Sequence, residues 1–132
     1  MTKNLPYISS DREGRFAGTH LILDVWNGQG FNDLQMLQNT LKGMAHAAGA
    51  TILNVDLHSF ENYGGVTGVI TLSESHISVH TWPELAYAAF DIFMCGKCDP
   101  YLSIEVLKKN LLPERVEITE IKRGRHTLSS SS

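Results

Sequence analysis

Val66-Thr67-Gly68-Val69-Ile70-Thr71-Leu72-Ser73, Ile77-Ser78-Val79-His80-Thr81-Trp82 and Tyr87-Ala88-Ala89-Phe90-Asp91-Ile92-Phe93-Met94-Cys95 are three β-rich runs that follow one another with short links. Links this short leave no room for a crossover helix, so neighbouring runs are expected to pair antiparallel. Upstream, Thr51–Phe60 alternates, with Ile52, Asn54, Asp56 and His58 opposite Leu53, Val55 and Leu57. Glu61–Gly65 is a turn or loop. A first strand is expected over Phe16–Trp26, where Leu21, Leu23 and Val25 alternate with His20, Ile22 and Asp24. Asn27-Gly28-Gln29-Gly30 breaks it.

Between these runs Leu34, Leu37, Leu41, Met44 and Ala48 recur at steps of three and four, one stripe of a helix. Asn32 is the expected cap, Gln35 its capping-box partner, and Gly49 a suitable C′ residue. Asp99-Pro100 opens a second helix, because proline is tolerated where the amide has no partner. Ile104, Leu107 and Leu111 form its stripe and Pro113 ends it. Val116, Ile118 and Ile121 lie in a last strand. Met1–Gly14 reads as a loose arm, and the tail Ser129–Ser132 has no core-forming side chains. The order strand, helix, four strands, helix, strand predicts one α+β domain over residues 1–132. It is a two-layer α/β sandwich, a largely antiparallel sheet with two helices on one face.

The 132 residues are 42% hydrophobic and 19% charged, enough apolar material for a core and too little charge for a disordered tract. The net charge of -3 argues against a nucleic-acid module, which carries a basic stripe. Lys122–His126 is a short basic stretch that reads as a solvated edge. Apolar stretches such as Ala86–Phe90 fall far short of the ~20 residues a membrane helix needs. Met1–Ser10 lacks the apolar centre of a secretory signal, and Cys95 and Cys98 make no disulfide framework. The expectation is a soluble, cytoplasmic domain with neither nucleic acid nor membrane as partner.

The face left bare by the helices would mix Val69, Tyr87 and Phe93 with Thr67, Thr71, Asp91 and Cys95. A second copy of the chain is the simplest cover, so a homodimer is expected.

Chemistry concentrates in Leu72-Ser73-Glu74-Ser75-His76-Ile77-Ser78-Val79-His80-Thr81-Trp82-Pro83-Glu84 and in the run ending Cys95-Gly96. Any one of these residues alone is more often an ordinary strand residue, and cysteine is commonly buried without a role. Their density on consecutive strands sets them apart. His76 with His80 and Cys95 with Cys98 supply HxxxH and CxxC, a zinc-type inventory. In a strand, however, His76 and His80 sit roughly 13 Å apart, so the expectation is no metal. Ser75 with His80 could form a hydrolase pair, but Glu74 and His76 stand where a nucleophile elbow has glycines.

Ser73-Glu74-Ser75-His76, His80-Thr81-Trp82-Pro83-Glu84, Tyr87-Ala88-Ala89 and Cys95-Gly96 resemble the bacterial and archaeal short form of S-adenosylmethionine decarboxylase. The likeness runs from about Phe16 to Arg125, through His20-Leu21 and Gly49-Ala50-Thr51. It implies a proenzyme that cuts itself between Glu74 and Ser75, giving a β chain, Met1–Glu74, and an α chain, Ser75–Ser132, that stay together.

In that scheme the Ser75 hydroxyl attacks the Glu74 carbonyl and turns the amide into an ester. A base removes the Ser75 Cα proton, the Glu74 carboxylate leaves, and hydrolysis with loss of ammonia makes residue 75 a covalent pyruvoyl cofactor. The resemblance gives the base role to His80 and a supporting hydroxyl to Thr67. Turnover uses the pyruvoyl ketone as the electron sink for a Schiff-base-linked substrate. Cys95 is implied to reprotonate the substrate carbon. Glu84 would bind the ribose hydroxyls, Phe60 would stack on adenine, and Ser73 would line the substrate site. Glu61–Gly65 holds one residue more than the family pattern. The implied product is the aminopropyl donor for spermidine synthesis. A pyruvoyl-dependent arginine or ornithine decarboxylase of the same family is the rival, followed by a non-processing regulatory partner.

Overall fold

The computed structural model describes residues 5–125. Its main sheet contains β3 (Gly18–Trp26), β4 (Ile52–Ser59), β5 (Val66–Leu72), β6 (Ser75–Trp82), β7 (Tyr87–Cys95) and β8 (Arg115–Arg123) in the order β4-β5-β6-β7-β3-β8. Every neighbouring pair is antiparallel. Helices α1 (Leu34–Ala47) and α2 (Pro100–Leu111) pack on each other; α1 rests on β4 and β5, and α2 on β3 and β7. The two-layer α+β arrangement is the expected one.

The stripes meet in the core. Leu37, Leu41 and Met44 from α1, Ile104, Leu107 and Leu111 from α2, and Leu21, Ile70, Ile77 and Ile92 from the sheet are all buried. Ser103 Oγ crosses between the helices and donates to the Met44 carbonyl at 2.7 Å, which satisfies a buried hydroxyl. Gly49 ends α1 with φ +83°, a left-handed cap that costs glycine nothing, and its amide bonds the His46 carbonyl at 3.0 Å. At α2, Asp99 caps the start by accepting from the Tyr101 amide at 3.0 Å.

Four expectations need correction. The cap of α1 is Asp33, whose carboxylate accepts from the Met36 amide at 3.0 Å. Asn32 is not the cap, and Gln35 bonds Asn39 at 3.1 Å instead of closing a capping box. An ionised carboxylate at a helix start also gains from the helix dipole, which a carboxamide does not. In β4 the pairing shifts between Ile52 and Asn54, so Ile52 joins Val55 and Leu57 against the core and Leu53 is exposed. A bulge of this kind resets the alternation without leaving a mark in the pattern.

The arm is ordered from its middle: β1 (Ser9–Asp11) pairs with β2 (Gly14–Phe16) as a hairpin. The basic stretch holds it. Arg125 makes two bonds to Asp11, at 3.0 and 2.6 Å, Lys122 adds a contact at 3.3 Å, and both cations lie 4.8 Å from the centre of the Phe16 ring. Lys122 and Arg125 are therefore a clasp, not a bare edge. His126, Met1–Asn4 and the serine tail lie outside the described residues.

Because Leu107 is fully buried between α1 and the sheet, Leu107→Ala should lower stability by about 2–5 kcal/mol in urea unfolding.

Candidate active site

Strands β5 and β6 are joined by Ser73 and Glu74, with Leu72 paired to Ser75. Thr51 pins this turn from both sides: its carbonyl accepts from the Ser73 amide at 2.9 Å, and its amide donates to Glu74 Oε1 at 3.0 Å. Ser75 has φ +152°, a region nearly closed to residues with a side chain. The β6–β7 register sets Ser75 opposite Met94, which brings Cys95 beside the turn. There the Cys95 thiol donates to the Glu74 carbonyl oxygen at 3.1 Å.

A cleft of about 510 Å³ opens at this point, lined by Pro6, Tyr7, Ser73, Glu74, Cys95 and Cys98. The arm closes its rim: a side chain at Gly96 would meet the Pro6 carbonyl at 2.7 Å. Burial pushes the Cys95 thiol up from its ordinary pKa and the Glu74 charge adds to this, so the sulfur stays protonated at neutral pH. Cys98 is raised for the same reasons and lies 3.5 Å from the Gly49 carbonyl.

Next to the turn, on the open face, Asp91 gathers three donors. His20 Nε2 is 2.8 Å and His76 Nε2 3.2 Å from Asp91 Oδ2, while Ser78 Oγ donates to Oδ1 in a short bond. Burial pushes the Asp91 carboxyl up, but the bonds from Ser78, His20 and His76 together outweigh it and hold the pKa below the usual carboxylate value. The ring's other nitrogen, His76 Nδ1, is 3.5 Å from Ser75 Oγ. Arg123 donates to His20 Nδ1 at 3.1 Å and lies 5.5 Å from the Phe93 ring centre.

The other expected residues lie at the far end of the sheet. Thr67 and His80 are cross-strand partners, with Oγ1 3.2 Å from Nδ1. His80 is exposed, as are Glu84 in the 3-10 turn Pro83–Leu85 and Phe60 just after β4. A ladder of Trp26, Tyr87 and Trp82 flanks them, with ring centres 5.6 and 5.3 Å apart. Asp24 accepts the Tyr87 hydroxyl at 2.5 Å and, helped by burial, pushes that phenol up to about 12.

The expected residues thus form two groups: Ser73, Glu74, Ser75 and Cys95 at one end, and Thr67, His80, Glu84 and Phe60 at the other. Ser75 and His80 share β6 and stand about 16 Å apart along it at about 3.3 Å per residue. Neither the Ser75–His80 hydrolase pair nor the HxxxH pair converges within the chain. The imidazole beside Ser75 belongs to His76. No role was expected for His20, Asp91, Ser78 or Arg123, since the β6–β7, β3–β7 and β3–β8 registers are what bring them together. Tyr7 was hidden by the polar composition of its arm.

The family model for S-adenosylmethionine decarboxylase matches residues 19–124, which span both groups of residues. The chain belongs to the S-adenosylmethionine decarboxylase family. It is 46% identical over 110 residues to a Methanococcus maripaludis protein named S-adenosylmethionine decarboxylase proenzyme, covering 81% of this chain and 89% of the relative. A Thermomicrobium roseum protein of the same name is 40% identical over 108 residues, covering 81% of this chain and 93% of the relative. The crystal structure of the adenosylmethionine decarboxylase from Aquifex aeolicus superposes with a TM-score of 0.76 at 29% identity, covering 87% of this chain and 95% of that one. Among the described residues, no helix is long and apolar enough to cross a membrane.

The lowered Asp91 pKa has a stability consequence. Folding stabilises the ionised carboxylate, so the contribution is complete above the ordinary value of 3.8 and is lost as pH falls through the lowered one. The gap in Tm between the protein and its Asp91→Asn variant should therefore hold steady above about pH 5 and close below it in a thermal-melt series.

Proposed function

We propose that this chain is an S-adenosylmethionine decarboxylase proenzyme, cut by its own Ser75 at the Glu74–Ser75 bond, residue 75 becoming the pyruvoyl group. The contact of the Cys95 thiol with the Glu74 carbonyl carries this reading. A hydrogen-bond donor is aimed at the oxygen on which charge develops when the Ser75 hydroxyl attacks. The unusual φ at Ser75 adds conformational energy that cleavage releases.

The residues present suit a pyruvoyl group, because its precursor Ser75 lines, together with Tyr7, Phe93 and the protonated Cys95 thiol, an adjoining cleft of about 420 Å³. Such a group supplies an electron sink for loss of carbon dioxide from an α-amino acid. Cys95 then stands where it can hand its proton to the substrate carbon, and Ser73 and Tyr7 bound the cleft. The product is the aminopropyl donor for spermidine synthesis, made in the cytoplasm.

Thr67, His80, Glu84 and Phe60 lie too far from Ser75 to serve it in the same chain. A homodimer resolves this. Two open sheet faces packed with opposed strand directions bring the His80 end of one copy to the Ser75 end of the other. The second copy then supplies the base for the Ser75 Cα proton, with Thr67 steadying its ring. It also supplies Glu84 for the ribose hydroxyls and the Phe60 ring for adenine. The mixed apolar and polar residues of that face, among them Ile22, Val69 and Trp82, become covered.

Ser75→Ala should remain one chain on a denaturing gel. Cys95→Ala should cleave more slowly and lose at least about a hundredfold in release of labelled carbon dioxide from S-adenosylmethionine. Normal turnover by that variant removes Cys95 from the acid role. Faster release from arginine or ornithine than from S-adenosylmethionine would reassign the substrate. Co-expressing Ser75→Ala with His80→Ala tests the shared site: the His80→Ala chain should be cut in the mixture and not alone, whereas no cutting in the mixture would place both groups in one chain's service.

A further inference from the structure

The Asp91 cluster sits against the scissile serine, yet the roles given to His80 and Cys95 leave it unused. We propose that His76 is the catalytic base that takes the Ser75 hydroxyl proton in the first step of self-cleavage, with Asp91 and His20 as positioning residues. This rests on the self-cleavage reading above and assigns a different proton from the one given to His80.

The hydrogen-bond inventory fixes the tautomer of the neutral ring. An ionised Asp91 only accepts, so His76 Nε2 at 3.2 Å must carry the hydrogen. In the neutral ring Nδ1 then holds a free lone pair, and it faces Ser75 Oγ at 3.5 Å. That distance is at the outer limit of a hydrogen bond, as is common before the reacting geometry closes. His20 is fixed in the same way: Nδ1 accepts from Arg123, so Nε2 donates to Asp91. With Ser78 on its other oxygen, Asp91 cannot rotate away from His76. A purely structural ion pair needs only one face of the imidazole, whereas here the second face is turned to the nucleophile. The donor atoms of His20, His76 and Asp91 also lie within 4.8 Å of one another, but the Arg123 guanidinium already places a cation beside His20 and opposes a metal ion there.

The proton and bond balance closes without another reagent. The Ser75 Oγ proton moves to His76 Nδ1 while Oγ bonds to the Glu74 carbonyl carbon. The tetrahedral oxyanion is held by the Cys95 thiol, and the imidazolium by Asp91. The C–N bond then breaks, and His76 returns its proton to the Ser75 nitrogen. The result is an ester between Glu74 and Ser75 with the ring neutral again. His80 acts only afterwards, on the Cα proton.

Hydroxylamine separates the two steps, because it cuts an ester and spares an amide. The purified full chain, His76→Ala, His76→Gln, Asp91→Asn and His80→Ala are followed by denaturing mass spectrometry with and without hydroxylamine. The expected result is ester formation slowed at least about a hundredfold in both His76 variants, which stay whole even in hydroxylamine. Asp91→Asn should slow at least about tenfold in the same manner. Added imidazole should restore part of the cutting in His76→Ala. His80→Ala, stalled after the ester, should be cut by hydroxylamine after Glu74. Normal self-cleavage of the His76 variants overturns the proposal, and so does hydroxylamine cutting them after Glu74. Circular dichroism selects the folded variants, and if His76→Ala fails to fold, His76→Gln and Asp91→Asn give the same readout. An unmutated chain that never cleaves is a separate result, which ends the self-cleavage reading itself.

Discussion

Everything at the site depends on the pairing of β6 with β7 in the register that sets Ser75 opposite Met94. That register buries Ile77, Val79, Phe90 and Ile92 under the helices. It turns His76, Ser78, His80, Asp91 and Phe93 to the open face and lays the Cys95 thiol against the Glu74 carbonyl. A slip of one residue would reverse the faces, driving imidazoles and a carboxylate into the core and leaving isoleucines in water. The apolar side chains therefore enforce the alignment that the chemistry uses. Stability and catalysis rest on the same alternation.

The open face is polarised along β6. One end holds a strained serine, a protonated thiol and a cleft; the other holds an exposed imidazole, a carboxylate and aromatic rings. Neither end is sufficient for the chemistry of the family. In the proposed homodimer, two-fold symmetry would make a pair of complete sites from two incomplete ones without any further residue. The same packing would cover the exposed Ile22, Val69 and Trp82 of this face. Within one copy, the Asp91 cluster sets an imidazole, His76, beside Ser75, and the proposed scheme divides the proton transfers of processing between His76 and His80.

Much of the fold was legible in the sequence because burial imposes periodicity. The Leu37, Leu41 and Met44 stripe and the alternation of Leu21, Leu23 and Val25 report directly on which side chains avoid water. The β4 bulge, the hairpin of the arm and the placement of β3 between β7 and β8 were not legible, since each depends on pairing between distant segments. The site divides in the same way. Ser75, His80 and Cys95 stand in the stretch that resembles the family, and that resemblance is what singled them out. His20, Asp91 and Arg123 become neighbours only after three strands have found their register. Spacing also could not reveal that His80 faces away from the serine of its own chain by the length of a strand.

The most direct test of the central claim is the intact mass of the purified, unmutated protein under denaturing conditions. Self-cleavage with pyruvoyl formation should give two chains, Met1–Glu74 and a chain from residue 75 to Ser132. The second should be lighter by one ammonia than the same fragment beginning with serine. A single uncut chain, or a second chain that begins with an ordinary serine, would contradict the assignment of Ser75 as the precursor of the catalytic group.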